Sequence, residues 1–188
     1  MRSFALYLLM MLSALVHSRA GPEALAATLS ALVTGVAEGV VADAVVIVEQ
    51  ESEAIDLIIE ATGAHHVVIA AGSDPWSAGA ALARRDWFIC LEAGDIPLEG
   101  WIGAVDRFAF IAEREGYPIG RLARRAPDWR EWLRERVGRL SRAIRAGDIV
   151  HRSKLDGAAA RRPRIAGVEA QILRQPAPQP ERDLAPAG

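Results

Sequence analysis

Short apolar runs alternate along this chain with segments of helical periodicity, and this alternation predicts repeated strand–helix units. The runs are continuous, as in strands covered on both faces of a parallel sheet. In the intervening segments apolar residues recur every three or four positions, which is typical of a helix packed by one face. The predicted strands are 11–18 (MLSALVHS), 44–48, 66–70 and 87–91, and the predicted helices are 23–33, 53–62 and 75–85.

Residues that begin or end helices stand between these segments. Ser52 and Asp74 are suited to cap a helix N-terminus, because their side-chain oxygens accept hydrogen bonds from free backbone N–H groups. Pro75 fits the first position of the helix that follows, and Gly35 and Gly63 are expected to end the first and second helices. The order β-α-β-α-β-α-β therefore predicts an α/β fold, a three-layer αβα sandwich with a mainly parallel sheet.

Beyond Trp101 the pattern is weaker. We predict helices over 102–115 and 127–146 and short strands over 149–151 and 165–172. The second of these helices carries its tryptophans and aliphatic residues on one stripe and most of its arginines elsewhere. The arginines form either a solvated face or a contact with an anionic membrane surface or a lipid-phosphate acceptor.

The segment 1–20 allows two interpretations. A charged start, an apolar run and a small-x-small cleavage site before Gly21 resemble a secretory signal. Alternatively, 11–18 is the first strand and 1–10 is an extension of uncertain status. The two exclude each other, because cleavage would remove the strand. We favour the strand and a cytoplasmic protein. Peripheral membrane contact through 127–146 stays open, and export is the alternative.

The composition fits a single domain of ordinary size. The chain has 188 residues, a formal net charge of −2 and a sequence pI of about 6.1, so its overall charge does not indicate a nucleic-acid partner. We expect the domain to span 11–174 and the Pro- and Ala-rich tail 175–188 to be disordered. Cys90 is the single cysteine and lies in an apolar run, which indicates a buried, inert thiol.

Ligands of mainly parallel α/β sheets bind at the carboxyl ends of the strands, so the polar residues after each predicted strand are the candidates. Glu49 and Ser52 follow the second strand, and Glu92 and Asp95 follow the fourth. Taken alone, Glu49 belongs to a solvated acidic turn and Ser52 is a helix cap. We interpret His17, at the end of the first strand, as a structural or surface residue.

Three stretches carry a family resemblance. Residues 48–54 read VEQESEA against V-D-x-G-S-T-D, and 61–68 read ATGAHHVV against A-x-x-x-G-A-x-V-V. The most specific stretch, 77–101, reads SAGAALARRDWFICLEAGDIPLEGW against A-x-x-A-x-G-D-W-L-x-x-L-D-A-D-D-x-L-x-P-x-W. Together they resemble the family 2 glycosyltransferases of the GT-A type, most of all the short bacterial members, over about 11–101 and loosely as far as Arg152.

The resemblance implies a nucleotide diphosphate-sugar bound at the strand ends, with Glu49, Ser52 and Glu92 as nucleotide-sugar contacts. It also implies Mg²⁺ or Mn²⁺ held by Glu92 and Asp95, where a cation offsets the charge developing on the leaving diphosphate. The turn that ends in Asp148 resembles the family's acceptor-side turn, which makes Asp148 the catalytic candidate. An active member of the family inverts at the sugar carbon by direct displacement, and the acceptor here is a lipid or a saccharide.

Several positions depart from the family pattern. Ala54 replaces the second Asp of the first motif, and Gly94 replaces the second Asp of the Asp-x-Asp motif, which removes one expected metal ligand. The Glu-Asp pair that supplies the base in the family has no match in this chain. Two functions therefore stay open: a glycosyltransferase-like protein, and a catalytically inactive relative that acts as a partner- or membrane-binding module.

Overall fold

The computed structural model describes residues 11–125, 141, 143–155 and 163–175. Within them the strands form one sheet of eight, in the order β3-β2-β1-β4-β7-β6-β8-β5. The strands are β1 (Leu12–Ser18), β2 (Val41–Val48), β3 (His65–Val68), β4 (Trp87–Glu92), β5 (Asp95–Pro97), β6 (Ile119–Arg125), β7 (Asp148–His151) and β8 (Ile165–Arg174). The helices are α1 (Pro22–Ala37), α2 (Glu53–Thr62), α3 (Pro75–Leu82) and α4 (Trp101–Glu115), and a 3₁₀ turn follows β7 at Arg152–Lys154.

The first half of the sheet is parallel and has β1 at its centre. β1 pairs with β2 on one side and with β4 on the other, and β3 extends the sheet beyond β2, all in parallel. In this register Val16 lies between Val46 and Leu91. The four predicted strands are therefore confirmed, including the interpretation of 11–18 as the first strand.

Helices cover both faces of this half of the sheet. Leu12, Ala14 and Val16 of β1 pack into a core with α1, α2 and α4. Leu15 points the other way and packs with Phe88 against α3. Apart from Ser13, the residues of β1 before His17 are apolar, because side chains on both faces of the strand are buried. The predicted three-layer αβα arrangement with a mainly parallel sheet is confirmed.

The second half of the sheet is largely antiparallel. β7 lies beside β4 with Ile149 opposite Ile89, and β6 pairs with β7 in the same antiparallel sense. β8 runs parallel to β6, and β5 pairs antiparallel with β8 at the edge. The sequence pattern predicts neither β5 nor β6, because β5 has only 3 residues and the apolar residues of β6 (IGRLARR) are interrupted by arginines. Pairing with β8 holds both of them as strands.

The predicted helix caps are confirmed, and the end of α3 differs slightly from its prediction. Ser52 and Asp74 accept backbone hydrogen bonds from the first turns of α2 and α3, at 3.3 and 3.2 Å respectively. Gly63 follows α2 in the left-handed conformation, as expected of a helix end. Helix α3 ends at Leu82, three residues before its predicted end.

Gly35 lies inside α1, which continues to Ala37, so the prediction that Gly35 ends this helix is wrong. A β-carbon at Gly35 would lie 2.6 Å from the Trp101 ring and 3.0 Å from a methyl group of Val41. The glycine is therefore required by close packing and not by helix termination. Gly39, with φ of 74°, turns the chain towards β2.

Residues 1–10 and 176–188 lie outside the described part of the chain, so the N-terminal extension and the tail stay predictions. Most of the predicted helix 127–146 also lies outside it. Its described end, 143–146, is not helical, and there the Arg121 guanidinium binds a backbone carbonyl oxygen. Among the helices of the described residues, none combines the length and the apolar character that crossing a membrane requires.

Candidate functional site

The carboxyl ends of β1, β2 and β4 meet at one edge of the sheet and bring three titratable side chains together. His17 of β1 lies opposite Glu92 of β4 in the parallel register. On its other side, His17 Nε2 lies 3.7 Å from Oε1 of Glu49, the residue that follows β2. The predicted residues Glu49 and Glu92 therefore share one edge, with His17 between them.

His17 is a buried side chain at the centre of this edge. It is 5% exposed, and its ring meets the Trp76 ring edge-on with 6.2 Å between centroids. Within the described residues its Nε2 has no hydrogen-bond partner. Burial, followed by the charge of Arg19, lowers the pKa of His17, while Glu49 and Glu92 partly oppose the shift. The imidazole is therefore neutral at pH 7. In the sequence, the feature that indicates a place for His17 in the site is its position at the end of the first strand.

A cleft of about 450 Å³ opens beside this row, between the β1–α1 and β2–α2 turns. Glu49 and Ser52 both line it, as does Arg19, whose Nε lies 3.6 Å from Glu49 Oε1 and whose side chain is 64% exposed. The N-terminus of α2 opens here, where free backbone N–H groups favour an anionic or hydrogen-bond-accepting ligand group. The full lining is Ser18, Arg19, Gly21, Pro22, Glu49, Gln50, Glu51, Ser52 and Ile55.

A second cavity, of about 480 Å³, lies at the opposite edge of the sheet beside α1. Its polar groups already bond to one another: Asp43 accepts from Ser13 Oγ and from the Arg84 N–H, and Arg84 Nη2 lies 3.1 Å from His65 Nε2. Ligands of parallel sheets bind at the carboxyl ends of the strands. We therefore place the candidate site at the edge that holds Glu49.

Asp95, predicted to bind a metal with Glu92, is tied to two arginines that the sequence analysis did not assign to the site. Its Oδ1 accepts from Arg174 Nε at 3.0 Å, and its Oδ2 accepts from Arg174 Nη2 at 3.1 Å and from Arg124 Nη2 at 3.0 Å. The Glu92 backbone N–H donates to the same Oδ2 at 2.9 Å. Arg174 also forms an ion pair with the Glu92 carboxylate.

These contacts decide whether the two acids fit a divalent cation. Asp95 has no exposed surface, and both of its carboxylate oxygens are already bonded to guanidinium groups. Glu92 is 33% exposed, and its carboxylate is held by Arg174. Across the described ranges, no three His, Cys, Asp or Glu side chains converge on a point where a metal ion would sit. As folded, Glu92 and Asp95 thus do not fit a Mg²⁺ or Mn²⁺ site, because arginines occupy the positions that a cation would take.

Asp148, the catalytic candidate, lies inside the protein rather than at the open edge. It has no exposed surface, and Arg121 binds both of its oxygens, at 2.7 and 2.8 Å. Burial raises the pKa of Asp148, and the contacts with Arg121 and Arg145 partly oppose that shift. These contacts are those of a carboxylate that stabilises the fold, and they leave no room for an acceptor hydroxyl.

No family model and no curated protein matches this chain. Among solved structures it is similar to a mycobacterial protein, with a TM-score of 0.62, 14% identity, and 94% of this chain and 70% of that chain covered. It is also similar to the glucosyl-3-phosphoglycerate synthase of Mycobacterium tuberculosis in complex with Mg²⁺ and UDP, with a TM-score of 0.60, 13% identity, and 94% and 74% covered.

The same synthase in complex with Mn²⁺, UDP and glucosyl-3-phosphoglycerate superposes with a TM-score of 0.58 at 12% identity, covering 94% of this chain and 75% of that chain. At such identity the likeness concerns the fold, which is that of GT-A type glycosyltransferases. The fold expected from the resemblance is therefore confirmed. Divalent cations and UDP are present in those solved structures, in agreement with the cofactor that the resemblance implies for this fold.

Proposed function

We propose that this protein binds a nucleotide diphosphate-sugar at the carboxyl edge of its sheet, as a glycosyltransferase-like protein related to family 2. One observation carries the proposal: the cleft at the ends of β1 and β2 is lined by Glu49, Ser52 and Arg19. Its volume of about 450 Å³ lies within the range of small-ligand sites. The GT-A fold supports the same location for the ligand.

The cleft offers groups that match the parts of a nucleotide. The Glu49 carboxylate is an acceptor for ribose hydroxyls or for an N–H of the base. Ser52 presents the N-terminus of α2, which favours electronegative groups. Arg19 is the exposed cation of the cleft and is suited to a phosphate oxygen. Glu92 lies opposite His17 in the strand register and brings its ion-pair partner Arg174 into the proposal.

Sugar transfer needs further groups. A divalent cation, if bound, would offset charge on the leaving diphosphate, but Glu92 and Asp95 bond to Arg174 instead. Asp148 is buried against Arg121, so the described residues offer no base at that position. The acceptor, a lipid or a saccharide, and a membrane contact through 127–146 stay predictions, as does a cytoplasmic location.

The same contacts favour a second candidate function. A relative that keeps the fold without transferring sugar, and acts as a partner- or membrane-binding module, has no need of an exposed metal ligand or base. Asp95 and Asp148 are both fully buried and both paired with arginine. Nucleotide binding with no hydrolysis or transfer of UDP-glucose and GDP-mannose would favour this candidate over an active enzyme.

Calorimetric titration of the full chain with UDP and GDP tests the proposal, with and without Mn²⁺. We expect binding, and we expect Glu49→Ala to weaken it by about tenfold or more, because a charged hydrogen-bond acceptor is lost from the cleft. Glu53→Ala is the matched control, since Glu53 lies in the first turn of α2 and does not line the cleft. A folded protein that binds neither nucleotide at millimolar concentration would refute the proposal.

A further inference from the structure

Two arginines and two acids form one bonded group at the end of β4. Asp95 is buried between Arg124 and Arg174, and Arg174 bridges from Asp95 to Glu92. The two carboxylates carry a charge of −2 and the two guanidinium groups carry +2. This is the charge that one divalent cation would supply between the same acids.

We propose that Arg174, supported by Arg124, takes the place of the divalent cation, so that a nucleoside diphosphate binds at this edge without Mg²⁺ or Mn²⁺. The inference rests on the proposed function and specifies how its diphosphate is held. It follows from the contacts of Asp95, because a cation would have to displace both guanidinium groups from a carboxylate that has no exposed surface. Displacement would leave buried charges without partners, which is strongly unfavourable.

The turn at Gly94 supports the same conclusion independently. Gly94 stands where the resemblance expects the second Asp of the metal motif, and its φ of 94° is one that other residues rarely adopt. A β-carbon there would lie 3.1 Å from the Gln175 carbonyl oxygen. The Gln175 N–H in turn donates to the Gly94 carbonyl oxygen at 2.9 Å. The glycine that removes the acid thus also anchors the residue next to Arg174.

Arg174 is placed to meet a ligand. Its side chain is 41% exposed, and its contacts within the described residues use Nε and Nη2, which leaves Nη1 for a ligand oxygen. Burial lowers the pKa of Arg174, but Asp95 and Glu92 outweigh it and the net shift is upward, so the guanidinium stays charged. A planar guanidinium can hold Asp95 on one edge and a phosphate oxygen on the other.

The test is calorimetric titration of the full chain with UDP and with GDP, each in EDTA and in millimolar Mn²⁺. We expect dissociation constants that agree within about twofold, a difference of only about 0.4 kcal/mol. Binding seen only with Mn²⁺ would overturn the inference and leave the proposed function standing. Absence of binding in both conditions would overturn the proposed function and this inference with it.

Two variants separate the roles of the acid and the arginine. Glu92→Gln should bind UDP in Mn²⁺ as tightly as the unmodified protein or more tightly, because Arg174 is released from a competing carboxylate. A Glu92 that binds the cation predicts weaker binding in Mn²⁺ instead. Arg174→Gln should weaken binding in EDTA by about tenfold or more, since a charge-assisted contact to phosphate is lost. Arg107→Gln, an exposed arginine on α4, is the control and should leave binding unchanged. Loss of binding in Glu92→Gln, or unchanged binding in folded Arg174→Gln, would overturn the inference.

Discussion

Inside the protein, Arg121 donates two parallel hydrogen bonds to Asp148, from Nε to Oδ1 at 2.7 Å and from Nη2 to Oδ2 at 2.8 Å. The pair joins neighbouring strands, because Arg121 of β6 lies opposite Asp148 of β7 in the antiparallel register. Arg121 also donates from Nη1 to the Ser141 carbonyl oxygen at 2.7 Å. An acid that the resemblance assigned to catalysis is thus a structural partner of a buried arginine.

We expect Arg121→Gln to lower the free energy of unfolding by about 3 to 5 kcal/mol, because Asp148 is left as a buried charge without its partner. Asp148→Asn removes the carboxylate that Arg121 binds and should also lower the free energy of unfolding, because the buried guanidinium loses its anionic contact. The double variant should lose less than the sum of the two, since neither charge remains. Urea denaturation measures all three. Strictly additive losses would show that the two side chains do not interact as described.

Arg152 holds the end of α3 against the turn that follows β7. Its Nη1 donates to the Ala80 carbonyl oxygen at 2.7 Å, and its Nη2 donates to the carbonyl oxygens of Ala83 and Arg85 at 2.9 and 2.7 Å. Arg152→Lys should lower the free energy of unfolding by about 1 to 3 kcal/mol, because one ammonium group cannot reach these divergent acceptors. Arg114→Lys, on the exposed face of α4, is the control and should change stability little; equal effects would contradict the capping role.

Gly35 and Gly103 offer a matched pair of helical glycines with opposite surroundings. A β-carbon at Gly35 would meet the Trp101 ring at 2.6 Å, whereas one at Gly103 would come no closer than 3.5 Å to an arginine side chain. Gly35→Ala should destabilise the protein by about 1 to 3 kcal/mol through overpacking. Gly103→Ala should stabilise it by about 0.5 to 1 kcal/mol through the better helix propensity of alanine. Thermal unfolding of both variants checks the contrast, which fails if both move in the same direction.

His17 should make stability depend on pH in a defined direction. Burial and Arg19 lower the pKa of His17 in the folded protein, so the unfolded chain binds a proton more readily. Stability contributed by this group is therefore present above its unfolded pKa near 6.5 and is lost as pH falls below it.

The measurement is the urea midpoint of the unmodified protein and of His17→Gln at several pH values between about 5 and 7.5, a window around the unfolded pKa. The unmodified protein should lose more stability than the variant as pH falls. The exposed His66, changed to Gln, serves as the control and should follow the unmodified protein. Parallel pH profiles of His17→Gln and the unmodified protein would contradict a neutral, buried His17.

Local sequence pattern was sufficient for the parallel half of the fold. The strands ending at Ser18, Val48 and Glu92 are mainly apolar on both faces, and the caps Ser52 and Asp74 mark the starts of two of the helices. Such signals depend on neighbours a few positions away, so they can be read from a single chain. The same order of strands placed Glu49 and Glu92 at one edge, because parallel strands end together.

The residues that the acidic side chains contact followed only from the tertiary structure. Asp95 meets Arg174, which is 79 positions away along the chain, and Arg121 meets Asp148 across 27 positions. No local periodicity reports such pairings, since they depend on β5 pairing with β8 and on β6 pairing with β7. The sequence by itself determined the four parallel strands and where they end; the folded chain determined that Arg124 and Arg174 bond to the carboxylates at the end of β4.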